Sequence, residues 1–212
     1  MNATNSLYIQ FDVIGKKFGS EWIFKNINLN IKTGDKLAVL GGNGSGKSTL
    51  LQIISGYVLP NEGKLVFTSD KKNIEADFYK NYMSLASPYL ELIEEFNLAE
   101  LIKHTSVYKP FINNFSEKQI IEIAELTHTK DKAIKTYSSG MKQRVKLALA
   151  ILADAPLLLL DEPASNLDKN ALVWYSQMIN SYAKNKTVIV CSNSINDEYE
   201  FCDQKLDLMA YK

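Results

Sequence analysis

The chain has 212 residues, 46% of them apolar, and its 24 basic and 24 acidic side chains cancel to a formal charge of zero. That length suits one domain with room for a subdomain and an ordinary buried core. The neutral balance argues against a nucleic-acid partner, and two cysteines without CxxC spacing point to a reducing compartment and no cysteine metal site.

Met1 to Ser6 is polar and uncharged with no apolar stretch behind it, so no signal peptide is expected. The first third predicts strands. Leu7 to Val13 and Leu65 to Thr68 are candidates, and Ile27, Leu29 and Ile31 alternate with Asn28, Asn30 and Lys32 as in a half-buried strand. Pro60-Asn61 and Gly63 mark a turn. Lys36 to Leu40 reads as a short buried strand running straight into Gly41-Gly42-Asn43-Gly44-Ser45-Gly46-Lys47-Ser48-Thr49.

That stretch fits G-x-x-x-x-G-K-S, a phosphate-binding loop. Its glycines let the backbone turn tightly and bring bare N–H groups against phosphate oxygens. Lys47 supplies a mobile point charge for the outer phosphates, and the Ser48 hydroxyl can ligate Mg²⁺. Leu50, Leu51, Ile53 and Ile54 before Gly56 predict a short helix whose N-terminal dipole favours the same anion. The loop predicts binding of a nucleoside triphosphate.

The middle third turns helical. Asn97-Leu98-Ala99-Glu100 and Ser116-Glu117-Lys118-Gln119 fit capping boxes, and residues 88–136, rich in Glu and Lys and free of glycine, predict a small helical subdomain. The two histidines, His104 and His128, fall here and read as surface residues. In the last third a helix carrying Val145, Ala148, Leu149 and Leu152 leads into the strand Leu157 to Leu160. A second, with Leu172, Tyr175, Ile179 and Tyr182 on one side, leads into Thr187 to Cys191. Helix–strand alternation after a phosphate loop implies a parallel sheet flanked by helices. The longest apolar run, Leu147 to Leu160, is broken by Asp154 and Pro156 and is too short to span a bilayer. A soluble, cytoplasmic chain is expected, any spanning part coming from a partner.

Two further motifs carry chemistry. Leu157-Leu158-Leu159-Leu160-Asp161-Glu162 puts two carboxylates at the end of a buried strand, on the sheet edge where the phosphate loop lies. There Asp161 would hold the Mg²⁺ shell, and Glu162 would orient or deprotonate the attacking water. Tyr137-Ser138-Ser139-Gly140-Met141-Lys142-Gln143-Arg144 opens a helix with small residues and a hydroxyl, an end that can bind an anion.

Taken together, these residues resemble the ATP-binding cassette (ABC) ATPase family over nearly the whole chain, in the family's order. Ser138 to Met141 is similar to the core of its signature, with Ser139 for the first glycine and Met141 for the glutamine. Ser165-Asn166-Leu167-Asp168 is similar to its dimer-contacting D-loop. The resemblance implies one cassette spanning 1–212: a P-loop NTPase core, an N-terminal antiparallel β subdomain and the helical subdomain. It implies a head-to-tail homodimer sandwiching two ATPs, Ser138, Ser139 and Gly140 of one copy closing over the ATP of the other, and a transmembrane permease as partner at the membrane's inner face. Phe18, or alternatively Trp22, matches the aromatic that stacks on adenine. Arg144, the one arginine in the chain, stands where the family commonly has one, and its planar fork could fix that helix.

The match breaks at two positions. Ser192-Asn193 replaces the family's Thr-His switch pair, so Asn193 can donate a hydrogen bond to the terminal phosphate but carries no charge. No glutamine lies between Gln52 and Gln119, and Ser87 or Glu91 takes the place of the Q-loop glutamine. Losing a charge-assisted contact costs about 1.5–3 kcal/mol, roughly 10- to 150-fold in rate if the contact forms only in the transition state. The expectation is a slow ATPase rather than a dead one. The alternative is an ATP-dependent dimerising switch or regulatory module with little turnover. A chromosome or DNA-repair ATPase would need insertions and basic charge that this chain lacks.

Overall fold

The computed structural model describes residues 6–212. Two long strands, β1 (Leu7–Phe18) and β2 (Glu21–Lys32), form an antiparallel hairpin, and β4 (Glu62–Ser69) pairs antiparallel with the other side of β1. A two-residue turn, Asp70-Lys71, with φ of 49° and 64°, adds β5 (Lys72–Ile74), in the double positive-φ geometry that suits tight hairpins. The order is β2-β1-β4-β5. Gly63 is not part of a turn, as its composition suggested. It lies inside β4 at φ +74°, where a Cβ would stand 2.2 Å from the Asp12 carbonyl oxygen and 2.3 Å from that of Val13. The β1–β4 register shifts beside it, between Asp12 and Gly15, so the glycine serves a bulge.

The second sheet is parallel throughout, in the order β6-β7-β8-β3-β9. Its strands are β3 (Lys36–Leu40), β6 (Met83–Ala86), β7 (Leu157–Asp161), β8 (Thr187–Ser192) and β9 (Gln204–Asp207). The helices are α1 (Lys47–Ile54), α2 (Leu98–Tyr108), α3 (Glu117–Ile123), α4 (Ser139–Leu152), α5 (Lys169–Tyr182) and α6 (Asn196–Tyr199). Both predicted capping boxes form, Asn97 with Glu100 ahead of α2 and Ser116 with Gln119 ahead of α3.

The four-leucine run of β7 is uninterrupted because both its faces are buried. Leu157 and Leu159 point into a core shared with α1 and the antiparallel sheet. Leu158 and Leu160 point into the core built with α2 to α5. The register then sets the site: Leu40 is level with Ser192, and Asp161 with Cys191. The segments leaving β3, β7 and β8 therefore emerge side by side at the sheet's C-terminal edge, where ligands bind in open α/β sheets.

Candidate functional site

A cleft of 380 Å³ opens at that edge, lined by Gly44 to Thr49 except Ser45, with Asn43, Ile23, Tyr89, Glu162 and Asn193. The loop's shape depends on Gly46. At φ +101° it is left-handed, and a Cβ there would sit 2.4 Å from Ile23 Cγ2. α1 follows with no side-chain cap and no acid in its first turn. Its first N–H groups lack helical partners, so this end of the helix offers an anion site at the cleft.

Lys47 is 5% exposed. Its ammonium donates to the carbonyls of Gly41 (2.8 Å) and Gly42 (3.0 Å) and to Asn193 Oδ1 (2.6 Å). The other end of the same amide donates from Nδ2 to Glu162 Oε1 at 2.8 Å. Asn193 thus bridges the loop lysine and the second carboxylate, one atom accepting and the other donating. Glu162 itself is left-handed at φ +45°, and its N–H donates to the Cys191 carbonyl at 2.9 Å.

Asp161 is buried beneath them. Its Oδ2 accepts from the Ser87 hydroxyl at 3.4 Å, while Oδ1 has no partner among the described residues. Burial pushes its pKa up and the charge of Glu162 adds to this; the Ser48 hydroxyl, Lys47 and Ser87 pull it down. Of the two residues considered for the missing glutamine, Ser87 touches Asp161. Glu91 lies in a different, 650 Å³ cleft with Glu94, Glu95, Lys142 and Lys146. Lys146 links the two regions by donating to the backbone carbonyls of Ser87 (3.3 Å) and Pro88 (2.8 Å).

Ser138, Ser139 and Gly140 are not at this cleft. They line another, of 430 Å³, with Asn166, Asp168 and His128. Ser138 caps α4 by accepting from the Met141 N–H at 3.2 Å. A Cβ on Gly140 would come within 2.9 Å of the Asn166 carbonyl oxygen, so the signature-like turn lies hard against the 165–168 loop. Arg144 donates to Glu125 Oε2 at 2.6 Å, and its guanidinium lies 4.9 Å from the Trp174 ring centroid. Phe18, 54% exposed, lies outside the set that lines the phosphate cleft, with the Lys16 ammonium 5.2 Å from its ring centroid. Trp22 is flanked by Lys17 and Lys25. Both histidines are exposed.

Two cleft residues escaped the sequence reading, Ile23 and Tyr89. Ile23 is an ordinary strand residue with no local signal. Tyr89 follows Ser87-Pro88, and an aromatic directly after a proline in the Q-loop segment was the available hint; in the structure it is 83% exposed.

Fold and cleft together define a P-loop nucleotide-binding domain. The ABC transporter family profile matches residues 24–165, and the chain belongs to that family. Among curated relatives, the ribose import ATP-binding protein RbsA of Caldanaerobacter subterraneus subsp. tengcongensis is 31% identical, over 94% of this chain and 42% of its own length. The lipoprotein-releasing system ATP-binding protein LolD of Ehrlichia ruminantium is 29% identical over 87% and 86%. The chain spans about two fifths to two thirds of the length of the first such relatives. A bacterial ABC transporter cassette solved as a dimer is 26% identical and aligns with a TM-score of 0.77, covering 94% of this chain and 93% of that one. The same cassette in a post-hydrolysis state bound to ADP and Pi aligns at 0.72 over 90% of both.

Proposed function

We propose that the chain is the ATP-binding and ATP-hydrolysing subunit of a transporter, driving a separate transmembrane partner through ATP-dependent dimerisation. The observation that carries this is the division of labour between the two clefts. One is lined by Lys47, Ser48, Glu162 and Asn193, with Asp161 buried behind it; the other holds Ser138, Ser139 and Gly140, with no residue in common. A head-to-tail pair would bring the second cleft of one copy over the first cleft of the other, completing two sites. No described helix is long and apolar enough to cross a membrane, which fits a permease supplied by another chain and a place at the membrane's inner face.

In this reading Lys47 and the α1 N-terminus grip the β- and γ-phosphates, Glu162 orients and deprotonates the attacking water, and Asn193 donates to the γ-phosphate. Phe18 takes the adenine. The residues also fit a magnesium ion: the buried Asp161 Oδ1 lacks a partner among the described residues, and the Ser48 hydroxyl stands beside that carboxylate. One carboxylate and one hydroxyl suit Mg²⁺, which takes its other ligands from phosphates and water. The ion would neutralise charge on the β- and γ-oxygens. The domain assignment is a single cassette over 1–212, with 88–136 as its helical subdomain.

Steady-state phosphate release by the purified chain tests this, with Glu162→Gln alongside. Magnesium-dependent turnover that Glu162→Gln abolishes is expected; equal rates in the two proteins would remove Glu162 from the role. A second reading, an ATP-dependent dimerising switch with little turnover, is supported by the uncharged Asn193 in the place of a histidine. ATP-dependent dimers whose lifetime ignores Glu162→Gln would favour it.

A further inference from the structure

The segment that follows Glu162 is held from two sides by buried side chains. From α4, Gln143, 3% exposed, donates from Nε2 to the Pro163 carbonyl at 3.0 Å. From α6, Glu198, fully buried, accepts the Ala164 N–H on Oε1 at 3.0 Å. Glu198 is itself fixed. Its N–H donates to the Ile195 carbonyl, and its own carbonyl accepts from the Tyr175 hydroxyl at 2.9 Å. Ser192 turns the Asn193 loop back on the same helix, its Oγ accepting the Ile195 N–H at 3.1 Å.

A glutamate in this place is costly. It is desolvated, and its Oε2 has no partner among the described residues. Burial pushes its pKa up, with the charges of Glu162 and Asp161 adding to this, while the Ser192 hydroxyl and the Ala164 N–H oppose it. A core position that needed only volume would be better filled by leucine or methionine. The geometry points to what the carboxyl does: it ties the backbone just past Glu162 to the helix that carries the Asn193 loop. Glu162 is held at its side chain by Asn193 and at its backbone by Cys191, in a left-handed conformation that a non-glycine residue keeps only when its surroundings over-determine it.

We propose that Glu198 is a positioning residue for hydrolysis: by accepting the Ala164 N–H it locks the Pro163–Ser165 segment onto α6, and so holds Glu162 and Asn193 in register with each other. Together with Gln143 it makes the signature-like helix, the end of β7 and the switch loop one connected unit. This rests on the reading of Glu162 as the water-activating group.

The test compares Glu198→Met, which keeps the bulk and removes the acceptor, with Glu198→Gln, which keeps an oxygen for the Ala164 N–H. Melting temperature, affinity for a fluorescent ATP analogue, and kcat against KM are measured for both, with Glu162→Gln as reference. Displacing a catalytic group by about 1 Å costs on the order of 100-fold. In Glu198→Met kcat should fall by about 10- to 100-fold while nucleotide affinity stays within about 3-fold, and Glu198→Gln should recover kcat to within about 3-fold of the parent. A Met variant with parental kcat, equal kcat losses in Met and Gln, or parallel losses of kcat and affinity would each overturn the proposal. If Glu162→Gln keeps parental turnover, the underlying reading fails instead. Should Glu198→Met not fold, hydrogen exchange at the Ala164 amide decides: protection comparable to β7 supports the lock, and loop-like exchange overturns it.

Discussion

Replacing Asn193 with alanine breaks two contacts with opposite consequences. Its Oδ1 accepts from the Lys47 ammonium at 2.6 Å, and its Nδ2 donates to Glu162 at 2.8 Å. A γ-phosphate drawing on Lys47 would have to compete with the first contact. A hydrogen bond to a charged group is worth about 1.5–3 kcal/mol net, and this one is only partly buried, so the lower end applies. Asn193→Ala should therefore tighten ATP binding, by up to about 10-fold. In the proposed mechanism the same change also deletes the donor to the γ-phosphate, and kcat should fall by roughly 10- to 150-fold. Titration with a fluorescent, non-hydrolysable ATP analogue gives the first number and single-turnover phosphate release the second. An unchanged kcat would refute the contact to the γ-phosphate; weaker binding would refute the competition for Lys47. Asn193→His keeps an acceptor and a donor and adds a titratable charge, and should turn over faster than the parent if the absent charge limits the rate.

Glu162→Gln should abolish turnover and leave an ATP-stabilised dimer visible by size-exclusion chromatography; a monomer under saturating ATP and magnesium would contradict the two-cleft reading. Gly140→Ala places a Cβ 2.9 Å from the Asn166 backbone oxygen, which cannot swing away. Turnover should drop at least about 10-fold with analogue affinity unchanged, because the phosphate loop is untouched; a parental rate would show that the signature-like turn does not take part. Lys186, 7% exposed, donates to the Ile151 carbonyl at 2.8 Å and to that of Ala153. Burial pushes its pKa down to about 8 from 10.5. The unfolded chain then binds more protons between those values, so this residue's penalty is full below pH 8 and is relieved as pH rises towards 10.5. Urea unfolding of the parent and of Lys186→Met should give a difference that shifts in the parent's favour by about 2–3 kcal/mol between pH 7 and 10. Parallel curves would show that the lysine is not desolvated as described.

What the sequence made legible is what the chain writes contiguously. The phosphate loop needs its glycines and its lysine in one run, and β7 needs four apolar residues in a row because both its faces are covered. Both could be read residue by residue. The Gly63 bulge could not, since its cause is the Asp12 and Val13 carbonyls of a strand about fifty residues away. β5, β6 and β9 are too short to carry a period of their own and were not recognised as strands. The face of α5 was read from Leu172, Tyr175, Ile179 and Tyr182. In the structure Trp174 and Met178 are buried more deeply than Leu172 and Tyr182, because packing against α4 turns the helix. Glu198 was invisible for a related reason: in Asn196-Asp197-Glu198-Tyr199-Glu200 nothing local separates the buried acid from the solvated acids Asp197 and Glu200.

The two departures from the family pattern, with Ser87 taken for the Q-loop position, lie beside neighbouring groups. Asn193 contacts Lys47 and Glu162, and Ser87 contacts Asp161, the carboxylate adjoining Glu162. Asn193 is neutral where the family has a histidine, and Ser87 is shorter than a glutamine but no less charged; each keeps a hydrogen bond at its place, so charge is reduced at Asn193 alone. Lys47 and the α1 N-terminus, which are proposed to grip the phosphates, are themselves unaltered, so nucleotide affinity should lose no more than the roughly 10-fold set by the Asn193 contact to Lys47. The larger deficit should fall on the step in which charge develops on the γ-phosphate. The backbone that carries Glu162 compensates in part, because Gln143 and Glu198 hold the Pro163–Ala164 peptide from both sides. With little charge to spare at the trigger, turnover depends the more on holding Glu162 still.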